Sequence, residues 1–154
     1  MKHLHEFRIL ICLSLLLIFM STCQKSEHEC FSQFYDIGSE GLLADSEFLY
    51  KPKVSDGIYE FFLVVRYTNK LDLESIPIKI EYFSSELNEI HYKSETINFS
   101  AQEDNIKKGN FGVYQLEMPL LNDIKVEDGF YVTISPSISI GSGVISLGII
   151  CKSS

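Results

Sequence analysis

Apolar and polar residues alternate with a period of two along most of this chain. In residues 75–83, Ile76, Ile78 and Ile80 fall on one side, and Lys79 and Glu81 fall on the other. Successive side chains of a β-strand point to opposite faces, so this period indicates a strand with one buried face. Residues 57–68 alternate in the same way but are apolar on most positions of both faces, which predicts a central strand nearly buried on both sides.

Six further segments have strand composition, and turn-forming Gly, Asn and Asp residues lie between them. They are residues 29–36, 46–51, 89–99, 110–118, 129–140 and 143–151. The apolar last segment is expected inside a sheet, because an exposed one invites aggregation. Pro77 lacks an amide proton and predicts an edge position or a strand start, and residues 122–126 are expected to form a short turn. The chain is therefore predicted to be all-β: a single antiparallel β-sandwich in residues 30–154, of jelly-roll or immunoglobulin-like type, with about eight strands.

The N-terminus has the pattern of a bacterial lipoprotein leader. Lys2 and Arg8 precede a run of uncharged, mostly apolar residues at positions 9–20, which is shorter than the roughly 18–20 residues of a membrane-spanning helix. The small residues Ser21 and Thr22 follow and abut Cys23. Residues 1–22 are therefore predicted to be a signal peptide and Cys23 the lipidated residue. Cys12 is the rival site, but too little apolar sequence precedes it.

Lipid on Cys23 would attach the protein to a membrane in effect permanently, since each buried CH₂ contributes about 0.8 kcal/mol. Residues 23–29 are then a polar, lipidated tether. Removing Lys2, Arg8 and Glu6 from the 13 basic and 21 acidic residues leaves 11 and 20, a net charge of −9. This balance disfavours nucleic acid as a partner. The acidic tether is similar to an export signal for the cell surface. The sequence is compatible with either the periplasmic or the cell-surface face of the outer membrane.

Two cysteines remain after processing, Cys30 at the start of the predicted domain and Cys151 near its end. An oxidising compartment allows them to pair. Because the first and last strands of many sandwiches are neighbours, Cys30–Cys151 is a candidate disulfide that would close a loop of over a hundred residues and add several kcal/mol in the chain-entropy model. The alternative is two separate buried thiols.

No pattern for catalysis, a metal or a cofactor is present. Only His28 and His91 follow the leader, and His91 is predicted on the polar side of its strand, opposite Ile90 and Tyr92. After the leader, no Cys-x-x-Cys, His-x-His or His-Glu-x-x-His motif of the kind that binds zinc occurs. Most of the eight tyrosines alternate in phase with Ile, Leu and Phe, which predicts core packing for the majority. We therefore expect a protein that is not an enzyme and has no catalytic residues, bound metal or cofactor.

Four segments resemble the gliding-motility lipoprotein GldH family of Bacteroidota. They are residues 59–69 (YEFFLVVRYTN), 109–115 (GNFGVYQ), 129–134 (GFYVTI) and 143–149 (GVISLGI), within a similarity that runs from about Tyr35 to Ile150. The resemblance implies a small all-β lipoprotein of the outer membrane, an accessory part of the machinery for gliding and the associated protein secretion. It implies no catalytic residue.

Two functions are compatible with this sequence. The first is a lipid-anchored, non-catalytic component of the gliding-motility and secretion machinery or of a related envelope complex, docking an envelope protein through its surface or an edge strand. The alternative is a surface lipoprotein that binds glycans or peptides, with exposed tyrosines as the platform.

Overall fold

The computed structural model describes residues 29–84, 87–100 and 106–154, which fold into nine β-strands and one 3-10 turn. The predicted signal peptide, Cys23 and the tether up to residue 28 lie outside the described residues. The strands are β1 (Glu29–Asp36), β2 (Phe48–Tyr50), β3 (Gly57–Thr68), β4 (Ser75–Ser84), β5 (Glu89–Asn98), β6 (Ile106–Lys108), β7 (Val113–Val126), β8 (Val132–Pro136) and β9 (Val144–Ser153), and the turn is Asn110–Gly112. The predicted bounds of β1 and β3 are confirmed.

The strands form two antiparallel sheets that pack as a β-sandwich, so the predicted all-β fold is confirmed. One sheet has five strands in the order β1-β9-β3-β7-β6, and the other has four in the order β2-β8-β4-β5. In the described ranges no helix is long and apolar enough to cross a membrane. The first and last strands are neighbours, with Asp36 opposite Ser146. The apolar β9 lies between β1 and β3, as expected for a strand that would aggregate if exposed.

Strand β3 is central, but only its inner face is fully buried. Its neighbours are β7 and β9, and the inner-face side chains Phe61, Leu63 and Val65 are at most 1% exposed. On the outer face only Val64 is buried, and Ile58 is exposed. The prediction that β3 is nearly buried on both sides is therefore wrong for its outer face, because no layer formed by the described residues covers that side of the five-stranded sheet.

Aromatic residues join the two sheets through the core. Phe61 of β3 stacks on Phe130, which precedes β8, with ring centroids 5.2 Å apart. The buried Tyr50 of β2 donates a hydrogen bond of 3.0 Å to the carbonyl oxygen of Leu147 in β9. Burial raises the pKa of the Tyr50 hydroxyl, with a smaller contribution from Tyr35, so the group remains a neutral donor at neutral pH.

The edge strand β5 carries charged side chains on the face that points into the sandwich. Ile97 of β5 is buried opposite Ile76, and the same face then presents Glu95, Lys93 and His91. The ammonium of Lys93 lies 2.8 Å from the Glu95 carboxylate. It also donates a hydrogen bond of 3.2 Å to the Leu120 carbonyl of β7. Inward charges on an edge strand disfavour pairing with another chain.

This register reverses the predicted orientation of His91. Its side chain shares the inward face with Ile97 and stacks on Tyr82 of β4, with centroids 5.1 Å apart. Ile90 and Tyr92 point outward instead and are 47% and 75% exposed. The predicted orientation is wrong because the buried Ile97, rather than Ile90 and Tyr92, fixes which face of β5 points inward.

Two other local predictions differ from the structure. Residues 122–126 belong to β7, where a β-bulge next to Phe61 takes up the extra residues and Asp123 adopts a φ of 52°. Pro77 is the third residue of β4, which has neighbours on both sides, so the predicted edge position is wrong; Pro77 lies near the start of the strand, just before Ile78, the first residue paired with β8. The Pro77 carbonyl accepts a hydrogen bond from the N–H of Ser137, just beyond the end of β8. In an antiparallel pair the N–H and the carbonyl of one residue point to the same side, so the N–H that Pro77 lacks would also point past the end of β8.

The described chain begins at one end of the sandwich, and the opposite end lies the length of a long strand away. Glu29, where the described chain begins, lies opposite Lys152, at the end where β3 begins and β7 terminates. We call this the anchor end. The opposite end, called the distal end, holds the last residue of β3, Thr68, paired with Val113 of β7. At about 3.3 Å per residue, the twelve residues of β3 separate the two ends by roughly 35 Å.

Candidate binding surfaces

The outer face of the five-stranded sheet is occupied by its own charged side chains. The guanidinium of Arg66 lies over the Phe34 ring, 4.4 Å from its centroid, and the ammonium of Lys152 lies 4.1 Å from the centroid of Phe62. Lys152 also binds the Glu117 carboxylate at 2.7 Å. Each cation covers one side of its ring, so both rings are less accessible to a ligand.

The outer face of the four-stranded sheet is open and aromatic. Tyr92 of β5 lies opposite Glu81 of β4, which in turn lies opposite Thr133 of β8. Beside this row, the rings of Phe83 and Tyr131 stack nearly parallel, at 7° and with centroids 6.1 Å apart. Of the eight tyrosines only Tyr92 is mostly exposed, so the prediction that most tyrosines pack in the core or against it is confirmed.

A cleft of about 220 Å³ lies on this face, and we call it the aromatic cleft. It is lined by Asp45, Glu47, Lys79, Ile80, Glu81, Tyr92, Thr133 and Ser135. The ammonium of Lys79 lies 3.2 Å from the Asp45 carboxylate, and the Tyr131 hydroxyl donates a hydrogen bond of 3.0 Å to Glu81. Burial raises the pKa of Tyr131, and the hydrogen bond to Glu81 and the charge of that carboxylate raise it further. The Tyr131 hydroxyl therefore keeps its proton and fixes the orientation of the Glu81 carboxylate.

The distal end carries a fully exposed aromatic side chain. Phe111 is 102% exposed and adopts a φ of 61°, and Gly112 follows with a φ of 73°. Two successive positive φ angles occur in type I′ hairpin turns, where Asn, Asp or Gly is usual at the first of the two positions. We call residues 109–112 the distal loop. A pocket of about 270 Å³ beside it is lined by Arg66, Lys107, Lys108, Gly109, Val113, Tyr114 and Gln115.

The two cysteines of the domain lie on neighbouring strands at the anchor end. Phe31 of β1 is opposite Cys151 of β9, and a β-bulge separates Glu29 from Phe31, so Cys30 lies within this irregularity. Cys30 is exposed, whereas Cys151 is buried. Burial, followed by the proximity of Cys30, raises the pKa of the Cys151 thiol to about 12, which makes it a weak nucleophile at neutral pH. The Cys30–Cys151 disulfide stays a prediction.

Sequence reasoning identified neither Tyr92 nor Phe111 as a surface residue. Its alternation in phase with Ile90 predicts the inward face of the strand for Tyr92. The strand composition of residues 110–118 predicts a strand at Phe111, although its position between Asn110 and Gly112 is a turn signal. An aromatic residue inside such a turn is rarely buried, so these two neighbours indicate that Phe111 is exposed. In the described parts of the chain, no three His, Cys, Asp or Glu side chains are grouped closely enough to hold a metal ion.

Comparison with known proteins adds no family assignment. No model of a known protein family matches this chain, and a search of curated proteins finds no match.

Proposed function

We propose that this chain is a lipid-anchored protein of the outer membrane that serves as a non-catalytic accessory component of the gliding-motility and secretion machinery, or of a related envelope complex. Three features of the sequence support the proposal: the leader that ends at Cys23, the polar tether behind it, and the resemblance of four segments to the GldH family. The partner is a protein of that complex, which the β-domain reaches from its membrane anchor.

The observation that carries this proposal is the exposure of Phe111. Exposing a phenylalanine side chain forgoes the roughly 1.5–3 kcal/mol that burial would contribute. A left-handed backbone at a residue with a Cβ adds about 1–2 kcal/mol. The ring is fully exposed, so no contact within the folded domain offsets these two costs. Buried aromatic anchors commonly dominate protein–protein interfaces, and strained residues cluster at functional sites, so Phe111 fits an anchor that inserts into a partner.

The position and charge of the distal loop define the partner further. The loop lies at the end of the sandwich opposite the tether, roughly 35 Å from the anchor end. Arg66, Lys107 and Lys108 surround the neighbouring pocket, although the chain from Cys23 onward has a net charge of −9. A basic rim on an acidic protein favours a partner with an apolar pocket edged by carboxylates.

Replacing Phe111 by glycine is expected to separate stability from function. Glycine adopts the positive φ without a Cβ clash, so the free energy of unfolding should stay the same or rise by up to about 1 kcal/mol. Docking to the envelope complex should be lost, because the aromatic anchor is gone. Chemical denaturation of the purified protein measures the first effect. Gliding speed and secreted protein, in a deletion strain complemented with the variant, measure the second.

Leu87 provides the matched control for this experiment. It is also an exposed apolar residue, at 60%, but it lies in the turn between β4 and β5. The other end of this hairpin holds Phe99, whose ring contacts Tyr67 near the distal end, so Leu87 lies toward the anchor end. Leu87→Ser should complement the deletion like wild type, and Phe111→Gly should not. A deletion strain with normal gliding and secretion would contradict the proposed function, and full complementation by Phe111→Gly would contradict the distal loop as the docking site.

A further inference from the structure

The aromatic cleft shares no lining residue with the distal loop, so the docking proposed for that loop leaves the cleft unexplained. Tyr92 lies on the outer face of the four-stranded sheet and is 75% exposed, so its ring contributes little to the core. Lys79 and Glu81 are its neighbours on β4, and Thr133 and Ser135 follow on β8. An open aromatic ring beside a row of hydroxyl, carboxylate and ammonium groups is an arrangement that offers both stacking and directed hydrogen bonds.

The lining groups restrict the chemistry of a ligand. Asp45, Glu47 and Glu81 supply carboxylate oxygens, and Thr133 and Ser135 supply hydroxyls, so acceptors outnumber the donors. A ligand rich in hydroxyl donors satisfies these acceptors, as a sugar does. Three carboxylates against the single ammonium of Lys79 give the cleft a charge of about −2 at neutral pH, which disfavours phosphates and uronic acids. A neutral or amino sugar meets no such repulsion.

The shape of the site is suited to one ring rather than a large ligand. The volume of about 220 Å³ lies below the ~300–1,000 Å³ of pockets that enclose drug-sized molecules. One hexose ring can stack on Tyr92 while its edge hydroxyls face Glu81 and Thr133. The adjacent stacked pair, Phe83 and Tyr131, continues the aromatic surface beyond the cleft and offers space for a second sugar of the same chain.

We propose that the aromatic cleft binds a neutral or amino-sugar oligosaccharide, with one sugar ring stacked on Tyr92 and its hydroxyls bound by Glu81 and Thr133. The Glu81 carboxylate is already oriented by the hydrogen bond from Tyr131, so it is prepared to accept from a sugar hydroxyl. This binding is independent of the distal loop and adds a glycan contact to a protein held at a membrane.

The test is a binding measurement on the full mature protein in a zwitterionic detergent that has no sugar headgroup. The probes are oligosaccharides of glucose, of mannose and of glucosamine, with an oligogalacturonate and a lysine-rich peptide for comparison. At least one of the first three should bind, and the anionic oligogalacturonate should not. Tyr92→Ala should weaken the binding about tenfold, because ring stacking is lost, whereas Tyr92→Phe should weaken it by about threefold at most.

Phe111→Gly is the matched control, since it removes an exposed aromatic ring at the distal loop and should leave sugar binding unchanged. Chemical denaturation verifies that each variant is folded. Three results would overturn the inference: no sugar probe binds, Tyr92→Ala binds as tightly as wild type, or only the lysine-rich peptide binds in a Tyr92-dependent manner. These three results do not affect the complementation test of Phe111→Gly. The glycan site and the role in an envelope complex can therefore be refuted independently of each other.

Discussion

Replacing Phe61 by alanine is expected to lower the free energy of unfolding by about 3–5 kcal/mol. Phe61 is fully buried in the middle of β3 and stacks on Phe130, which links the two sheets. Removing the ring leaves a cavity between β3 and the segment before β8, and the surrounding core closes such a cavity only in part. Domains of this size have total stabilities of about 5–15 kcal/mol, so the variant should be close to unfolding at 37 °C.

Phe62 is the control, because it is the next residue and the same side chain on the opposite face. It is half-buried, and Lys152 covers one side of its ring. Phe62→Ala should cost about 1–2 kcal/mol, the loss of partial burial and of one cation–π contact. Urea denaturation curves of the two variants measure both values. Equal losses would show that the two faces of β3 are buried alike, contrary to the sandwich described above.

Replacing Gly41 by alanine should be the second large perturbation, at about 2–4 kcal/mol. Gly41 has a φ of 78°, and an added Cβ would collide with the Ile140 carbonyl oxygen. That oxygen accepts the hydrogen bond from the Leu42 N–H at 2.8 Å, and Leu42 is a core residue. The variant therefore combines left-handed strain with displacement of a buried backbone pair.

Gly38→Ala is the comparison for Gly41, since an added Cβ at Gly38 meets no atom within 4 Å and its φ is not in the left-handed region. Its stability should stay within about 0.5 kcal/mol of wild type or rise slightly, because alanine reduces the conformational entropy of the unfolded chain. Thermal unfolding of both variants distinguishes them. If Gly41→Ala matched Gly38→Ala, the close contact between the Gly41 segment and Ile140 would be wrong.

Period-two alternation predicted the bounds of β1 and β3 and missed one very short strand and one irregular strand. The bounds of β3 were predictable because Tyr59, Phe61 and Leu63 share one buried face. Strand β6 was missed because it has only three residues, Ile106–Lys108, of which one is half-buried. The extension of β7 was missed because Asn122 and Asp123 have turn chemistry, and here that chemistry serves a bulge inside the strand.

The candidate surfaces were less predictable than the fold, because each depends on long-range register. Tyr92 is exposed because Ile97, five residues further along β5, is buried opposite Ile76 and sets the parity of the whole strand. The residues next to Tyr92 in the sequence give no indication of which face of β5 is buried. Tyr92 and Glu81 meet through strand pairing, and Asp45 is added from the loop before β2. The Phe111 turn is local and had a signal in its neighbours, Asn110 and Gly112.

The intact mass of the protein extracted from membranes tests most directly the claim that it is a lipid-anchored envelope protein. If the protein is lipid-anchored, the mature chain begins at Cys23, lacks residues 1–22 and carries the extra mass of acyl chains on that cysteine. Cys23→Ser should lack this added mass and leave the membrane fraction. A mature chain that begins elsewhere, or that begins at Cys23 without acyl mass, would show that the protein is not anchored by lipid on Cys23.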